Sequence, residues 1–171
     1  MQKERHNLTR RSISSRQETK KPQHRIEVSA GGLVFKKTDR GIFVAMLQDS
    51  FGNWTFPKGH VRRRRESRQR AAEREIKEEL GLSELKFVRP LGQIDIWFRD
   101  RFVFKGKMVH KFIHYFLFEA PVNAKLIVPE AKEKGEKIQA VAWVPLQNVV
   151  KQSSYRDMNP IIQKSLQLLR K

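Results

Sequence analysis

Three glutamates near the middle of the chain, Glu75, Glu78 and Glu79, have the types and the spacing that a catalytic site requires. Because they stand at i, i+3 and i+4, a helix would gather their carboxylates on one side. The apolar stripe of that helix consists of Ala72, Ile76 and Leu80. On a helical wheel Glu79 falls inside this stripe and Glu75 falls beside it. A charge on a core-facing surface is costly unless it is paired or binds a metal, so the pattern favours a metal site over a solvated acidic face.

The residue types in this cluster indicate which metal and which reaction to expect. Carboxylates without His or Cys suit Mg²⁺ or Mn²⁺ rather than zinc, and Mg²⁺ is typically shared between carboxylates and substrate phosphates. Lys58 and the run from Arg62 to Arg65 precede the helix, where their charges would face such phosphates. A divalent ion, carboxylates and cationic side chains together indicate hydrolysis at phosphorus. The metal would neutralise phosphate oxygens, and a carboxylate or the metal itself would activate water.

The overall composition limits the class of protein. The chain has 171 residues, enough for one domain with a substantial core. It carries 36 Lys and Arg against 18 Asp and Glu, and the resulting net charge of +18 favours polyanionic partners such as nucleic acid or polyphosphate. The absence of cysteine excludes disulfides and thiolate metal sites. Without a membrane-length apolar run or the apolar core of a signal peptide, we expect a cytoplasmic protein with no membrane partner.

Residues 1–25 differ in composition from the rest of the chain. They contain eight Lys or Arg residues and two glutamates, and only Leu8 and Ile13 are available for burial. This composition predicts a disordered basic arm, followed by one folded domain over residues 26–171. Two roles stay open for the arm, namely an electrostatic tether to RNA or another polyanion and a solubilising tail. The sequence does not indicate an oligomeric state.

The folded region has the pattern of an α+β sandwich. Strand-like stretches cover residues 26–35, 42–47, 54–56, 85–98, 108–120 and 138–144. Residues 57–59, Pro-Lys-Gly, are predicted to form a loop that leads into the central helix. That helix is expected over residues 68–80, between Ser67 as N-cap and Gly81 as C-terminal stop. A second helix is expected over residues 158–170, and several strands with two helices describe an α+β fold.

Residues 59–82 resemble the Nudix box, whose pattern is G-x5-E-x7-R-E-U-x-E-E-x-G-U with U an aliphatic residue. The matching positions are Glu66, Arg74, Glu75, Ile76, Glu78, Glu79, Gly81 and Leu82. The segments at 29–35, 54–61 and 143–146 also resemble the parts of Nudix proteins that flank the box. One difference is that six residues rather than five separate Gly59 from Glu66, and four of them are arginines. The resemblance covers about residues 26–170.

This resemblance implies a fold and a set of roles. The fold would be a Nudix-type α/β/α sandwich with a mixed sheet, the catalytic helix after the Pro-Lys-Gly loop and a C-terminal helix. Glu78 and Glu79 would bind the metal ion, and Glu75 would be a further ligand or the base that deprotonates water. The backbone carbonyl of Gly59 would be another ligand. Arg74 would orient a glutamate by a charge-assisted hydrogen bond, and the expected cofactor is Mg²⁺ or Mn²⁺.

Further residues are candidates for supporting the site or binding the substrate. Glu66 matches the first glutamate of the box, which the resemblance makes a supporting residue. The substrate-binding candidates are Lys58, His60, Arg63, Arg64 and Tyr115. Because arginines near a helix N-terminus oppose the usual preference for acids there, we expect an anion beside Arg63 and Arg64. Three later glutamates, each either an assisting acid or a solvated loop charge, are Glu130, Glu133 and Glu136.

The substrate is expected to be a nucleotide or polyphosphate. Residues 54–61, WTFPKGHV, are most similar to the Nudix branch that hydrolyses diadenosine polyphosphates and, in eukaryotes, diphosphoinositol phosphates. The leading hypothesis is therefore a Mg²⁺-dependent pyrophosphohydrolase acting on a dinucleoside tetraphosphate. Two alternatives within enzymes are a nucleoside triphosphate, for example an oxidised one, and a triphosphorylated RNA end. A third alternative is a catalytically weak Nudix module that binds RNA or regulates another protein.

Overall fold

The secondary structure consists mainly of strands, with one helix in the middle of the chain and others near its C-terminus. The computed structural model describes residues 24–62, 66–100, 105–130 and 137–170. The strands are β1 Arg25–Thr38, β2 Gly41–Gln48, β3 Trp54–Thr55, β4 Lys58–His60, β5 Lys86–Arg99, β6 Met108–Glu119 and β7 Ala140–Pro145. The helices are α1 Arg68–Leu80, α2 Val149–Gln152 and α3 Asn159–Leu169, with 3₁₀ turns at Leu146–Asn148 and Arg156–Met158.

These strands form one mixed sheet. Strands β1 and β6 run parallel, and the other pairings among the described residues are antiparallel. The strand order is β3-β2-β1-β6-β5, while β4 also pairs with β1 and β7 with β2. Helix α1 packs on one face of the sheet and α3 on the other. The predicted α+β class, with an α/β/α sandwich, a mixed sheet and a C-terminal helix, is therefore confirmed.

Alternating side chains of β1 separate two hydrophobic cores. Val34 faces the core beneath α1, together with Phe118 of β6 and Ile76 of the helix. Leu33 faces the opposite core, beneath α3, where Ile162 is fully buried. This alternation follows from the period of two of an extended strand, and it predicts that any residue next to a core residue in β1 lies on the opposite face.

Helix α1 begins and ends where the sequence predicts. The hydroxyl of Ser67 accepts a hydrogen bond from the backbone N–H of Arg70 at 3.2 Å, which satisfies one of the N–H groups that a helix start leaves without a partner. At the other end Gly81 has a φ of 73°, and its N–H donates to the carbonyl of Lys77. Glycine adopts this left-handed conformation at little cost and so ends the helix.

The prediction of a loop at the Pro-Lys-Gly segment is wrong for two of its three residues. Lys58 and Gly59 belong to the short strand β4, in which Gly59 pairs with Ala30 and Lys58 with Gly31. The cause is the length of β1, whose edge is paired to β2 only over residues 35–38. The earlier part of the same edge has backbone N–H and C=O groups that need hydrogen-bond partners, and the backbone of β4 provides those partners. The start of the box is thereby fixed to the sheet.

Strand β5 contains a proline, Pro90, in its interior. The strand is continuous from residue 86 to residue 99, with two irregularities in its register against β6, between Phe87 and Arg89 and between Pro90 and Gly92. Because β5 is the last strand in the order, Pro90 is tolerated there, since proline is compatible with edge strands and bulges. The bulges bend the strand without ending it.

The two ends of the chain are described to different extents. β1 begins at Arg25, and residues 1–23 lie outside the described residues, so the disordered character of the basic arm stays a prediction. The C-terminal helix covers residues 159–169, within one residue of the expectation at each end. Among the described residues, none of the helices has the length and apolar composition needed to cross a bilayer.

Replacing Gly32 by alanine is expected to destabilise the fold. A Cβ atom at Gly32 would lie 2.6 Å from Cδ1 of Ile76, so α1 would be pushed off the sheet. Overpacking of this kind lowers the free energy of unfolding by about 1–3 kcal/mol, measurable by urea denaturation. The double variant with Ile76→Val, which lacks the clashing methyl group, should lose less than the sum of the two single variants. Strict additivity would contradict the proposed clash.

Candidate active site

The guanidinium of Arg74 is the centre of a network that joins α1 to the segment before it. Its Nε donates to Oε1 of Glu66 at 2.8 Å, and its Nη2 donates to Oε2 of Glu66 at 3.1 Å. Nη2 also donates to the backbone carbonyl of His60 at 2.9 Å, while Nη1 bonds the carboxylate of Glu75. Glu78 lies 3.6 Å from Nη1. One guanidinium therefore interacts with three carboxylates and links the end of β4 to α1.

The same network perturbs the pKa values of its members. The hydrogen bond from Arg74 is the main cause that lowers the pKa of Glu66, and the N–H of Arg62, which donates to the same carboxylate at 3.1 Å, acts in the same direction. The hydrogen bond to Glu66 is in turn the main cause that raises the pKa of Arg74. Both groups are therefore held in their charged forms at neutral pH.

Glu75 is the most deeply placed of the three helix glutamates. It is only 8% exposed and lies against Gly59 of β4, where a Cβ atom would be 2.1 Å from its Oε1. Glycine at this position therefore allows the carboxylate to approach the backbone of the sheet. The helical wheel placed Glu79 deeper than Glu75, which is wrong because a wheel ignores β4, the strand that covers the Glu75 side of α1.

Glu79 faces a different part of the protein. Its Oε2 accepts a hydrogen bond from the backbone N–H of Lys58 at 3.0 Å, and it is only partly buried. Glu79 and Lys58 both line a cavity of about 90 Å³, which Tyr155 also borders. The carboxylate of Glu79 is therefore the one that a molecule in this cavity would meet.

The donor atoms of these residues fit a hard divalent cation. Carboxylate oxygens and a backbone carbonyl are the ligands that Mg²⁺ and Mn²⁺ prefer, and a buried carboxylate such as that of Glu75 needs a cation beside it. In the described parts of the chain, however, no three Asp, Glu or His side chains are already gathered around one point. Arg74 holds Glu75 and approaches Glu78, while Glu79 bonds the N–H of Lys58. Metal binding must therefore compete with these contacts.

A second cavity, of about 230 Å³, adjoins the first. Both cavities are lined by Thr55, Lys58 and Tyr155. The second also has apolar walls from Ile94 and Ile96 of β5 and a cation, Lys111. A larger and more open depression of about 620 Å³ lies around residues 84–86 and 119–122, outside this group of residues, so its size does not make it the site.

Tyr115 lies in the wall of the second cavity and is almost completely buried. Its hydroxyl has no hydrogen-bond partner among the described residues. Burial is the main cause that raises the pKa of this phenol, and the charge of Glu79 contributes in the same direction. The group is therefore a buried, uncharged hydroxyl whose hydrogen-bonding capacity is not used by the described residues.

The match to a family agrees with this geometry. Residues 25–166 match the model of the NUDIX domain family. The chain belongs to the Nudix hydrolase family. It is 34% identical to MutT4 of Mycobacterium tuberculosis (strain CDC 1551 / Oshkosh) over 138 residues, which are 77% of this chain and 51% of that protein. The chain therefore spans about half the length of this curated relative.

Solved structures with a similar fold include two whose ligands or activities are named. A binary complex of the C. elegans Ap4A hydrolase has a TM-score of 0.65 and 25% identity, covering 84% of this chain and 98% of that one. The NUDIX domain of Shewanella oneidensis NrtR, complexed with ADP ribose, has a TM-score of 0.60 and 19% identity over 87% and 90% of the two chains. The second likeness concerns the fold alone.

The structure brings together most of the residues expected in the Nudix site. Glu66, Arg74 and Glu75 form one network, and Lys58 and Glu79 share a cavity wall. Their roles stay predictions. The ring of His60 bonds Glu27 at 2.9 Å, on the opposite face of the sheet from Glu75.

Other candidates lie apart from this group or beyond the described residues. Arg63 and Arg64 lie outside the described residues, as do Glu133 and Glu136. Glu130 is exposed in the segment after β6, and its role as an assisting acid stays a prediction.

Some cavity residues were not found from the sequence. Lys111 lies four residues before Tyr115 on the same face of β6, so the period of two would have suggested it once Tyr115 was chosen. Tyr155 offers no such signal. Its hydroxyl donates to Oδ2 of Asp49 at 2.6 Å and accepts from Nδ2 of Asn53 at 3.2 Å, contacts that span more than 100 residues.

Glu66→Gln is expected to change how stability depends on pH. Because folding lowers the pKa of Glu66, its ion pair stabilises the fold above about pH 4.5 and is lost as the pH falls through the lowered value. The wild-type free energy of unfolding should therefore fall more steeply below pH 4.5 than that of Glu66→Gln, while the variant is less stable at pH 7. Urea denaturation across this range measures both effects. Parallel pH curves for the two proteins would contradict the assignment.

Proposed function

We propose that this Nudix protein is a Mg²⁺-dependent hydrolase, with Mn²⁺ as an alternative cofactor, that cleaves a pyrophosphate linkage in a nucleoside polyphosphate. The first substrate to test is a dinucleoside (diadenosine) tetraphosphate. The observation that carries the proposal is the position of Glu79 and Lys58 in the wall of one cavity, directly beside a second cavity with apolar walls. A carboxylate and a cation thus adjoin a space suited to an organic group.

The two cavities would bind different parts of the substrate. Ile94, Ile96 and Tyr115 give the larger cavity walls against which a nucleoside would pack, with the Tyr115 hydroxyl as a hydrogen-bonding group. Lys58 stands in both cavities, and from there it would bind phosphate oxygens of a chain that runs toward Glu79. The likeness to the C. elegans Ap4A hydrolase supports a substrate with several phosphates.

The reaction would take place at the helix glutamates. Glu75, Glu78, Glu79 and the carbonyl of Gly59 would hold the divalent ion, which when bound neutralises phosphate oxygens and makes a water more acidic. Glu75, which is buried against Gly59 and bonded to Arg74, would accept a proton from that water. Arg74 would keep this carboxylate ionised and fix its direction, while Glu66 fixes Arg74. The proposal places this chemistry in the cytoplasm.

A triphosphorylated RNA end is a second candidate substrate, favoured by the net charge of +18 and by the basic residues 1–25. A panel of dinucleoside polyphosphates, nucleoside triphosphates and triphosphorylated RNA, assayed with Mg²⁺ and with EDTA, separates the two. Turnover of none of them would contradict the enzymatic proposal.

Glu79→Gln is expected to lower kcat by about 100-fold or more, because a neutral amide would replace a charged metal ligand at the cavity. The matched control is Glu73→Gln on the same helix, since Glu73 bonds Gln69 at 2.9 Å and lies outside the site network. Steady-state assays with diadenosine tetraphosphate compare the two variants. Full activity of Glu79→Gln, or equal losses in both, would contradict the role of Glu79.

Tyr115→Phe is expected to raise KM by about fivefold to tenfold while leaving thermal stability unchanged or increased. The substitution removes a buried hydroxyl that has no partner in the described structure, so only the ligand should lose a hydrogen bond. The matched control is Tyr155→Phe, which removes the bond to Asp49 and should lower the free energy of unfolding by about 1 kcal/mol. If Tyr115→Phe unfolds at a lower temperature and binds substrate normally, the hydroxyl has a structural role instead.

A further inference from the structure

A row of aromatic side chains covers the outer part of the sheet on the same face as α1. We call it the outer sheet face, and it consists of Trp97 on β5 and His110, Phe112, His114 and Phe116 on β6. The rings of Trp97 and His110 are stacked, with centroids 4.0 Å apart and planes at 15°. The ring of Phe112 follows at 4.2 Å from His110. The rings of Trp97, His110 and Phe112 therefore form a continuous surface rather than isolated exposed residues.

Helix α1 leaves this surface partly open to solvent. The helix packs over Ala30, Val34 and Phe118, near the middle of the sheet. Beyond it Trp97 is 50% exposed, and His110, Phe112, His114 and Phe116 are partly exposed. Because the stacked ring of Trp97 remains half exposed, it buries less apolar surface than its size allows. A ligand that packs on this ring explains the position of Trp97 better than core packing does.

The outer sheet face is distinct from the active-site cavities. Side chains alternate along a strand, so Trp97 points away from the face to which Ile96 belongs. Ile96 lines the larger cavity together with Tyr115, whereas the ring of Trp97 contacts His110. A ligand on the outer sheet face would therefore lie on the opposite side of β5 and β6 from the nucleoside.

Positive charge surrounds the outer sheet face. Its edges carry Arg99 at the end of β5 and Lys105 and Lys107 in the described part of the turn before β6, and Arg68 at the start of α1 acts on His114. Burial, with the charge of Arg68 as a second cause, lowers the pKa of His114, so this ring is uncharged at neutral pH. The one acid in contact with the aromatic row, Asp95, is bonded to His110 at 2.8 Å within the described structure.

The basic arm joins the protein at this surface. The ring of His24, the first described residue, lies 4.8 Å from the ring of Trp97. The 23 residues before it contain seven Lys or Arg and two Glu. The described chain therefore begins, directly after this basic segment, at a residue that contacts the aromatic row.

We propose that the outer sheet face binds single-stranded RNA. Bases would stack on Trp97 and the adjoining aromatic rings, while the surrounding cations contact phosphates. Stacking of unpaired bases on aromatic side chains of an open sheet, combined with a positively charged surround, is the general mode by which proteins hold single strands. A second copy of the chain is a poorer occupant, because two molecules of net charge +18 repel each other. The inference does not depend on which polyphosphate the enzyme hydrolyses.

The test is a binding titration of a fluorescein-labelled 12-nucleotide polyuridine, followed by anisotropy in EDTA so that no hydrolysis occurs. Trp97→Ala in the full chain should weaken binding about tenfold, as expected for the loss of one stacked base. Trp97→Phe, which keeps an aromatic ring, should restore most of the affinity. Val122→Ala is the control, because Val122 is a 61% exposed apolar residue in the segment after β6, away from both the cavities and the aromatic row. It should bind like the wild type.

Salt dependence separates stacking from charge. The slope of log Kd against log salt should be the same for Trp97→Ala as for the wild type, because stacking releases no counterions. The full-chain variant with Lys105→Gln and Lys107→Gln should show a smaller slope. Thermal unfolding of each variant establishes that it is folded, and Trp97→Leu, which keeps an apolar side chain without a ring, should bind like Trp97→Ala.

Several results would overturn the proposal. These are an absence of polyuridine binding, equal affinities of Trp97→Ala and the wild type, or tighter binding of a duplex than of the single strand. Self-association that is lost in Trp97→Ala, measured by sedimentation, would make the surface an interface between two copies instead.

Discussion

The site requires several carboxylates to lie close together in a partly buried position. Glu66, Glu75 and Glu78 all lie within reach of Arg74, and without that guanidinium their charges would repel one another. Removing one partner of a buried ion pair leaves an uncompensated charge, which costs several kcal/mol. Because Arg74 also donates to the carbonyl of His60, the same side chain sets the distance between α1 and β4. The interactions of Arg74 therefore both offset the carboxylate charges and set the position of α1.

A second constraint is steric, and it acts on the same pair of elements. The carboxylate of Glu75 reaches the sheet because Gly59 has no side chain, and α1 lies close to β1 because Gly32 has none. The extra residue between Gly59 and Glu66 does not disturb either end of this arrangement. Gly59 remains paired in β4, and Glu66 still receives Nε and Nη2 of Arg74. The extra residue lies between Gly59 and Glu66, in a segment of which residues 63–65 are outside the described structure.

The sequence was sufficient for the features that depend on local chemistry. Ser67 and Gly81 define α1, and the spacing of the glutamates identifies the box, because capping and helical periodicity are local properties. The pairing of Lys58 and Gly59 with β1 was missed, since it depends on an open edge of a strand about 30 residues earlier. The greater burial of Glu75 was missed for the same reason. Tyr155 is held at the cavity by hydrogen bonds with Asp49 and Asn53, which lie more than 100 residues earlier in the chain, and no local pattern predicts such contacts.

The excess of positive charge supports different kinds of binding in the cavities and on the outer sheet face. In the cavities, Lys58 and Lys111 stand among a few carboxylates, so a polyphosphate would meet a small number of fixed cations and depend on a metal ion for the rest of its neutralisation. On the outer sheet face the cations lie around aromatic rings, and the carboxylate in contact with those rings, that of Asp95, is bonded to His110. A ligand there would be held by stacking and by many weak phosphate contacts, which are far more sensitive to salt than a metal-bridged contact. The same net charge therefore supports tight, metal-dependent recognition of a short polyanion at the cavities and loose, salt-dependent retention of a long one on the outer sheet face.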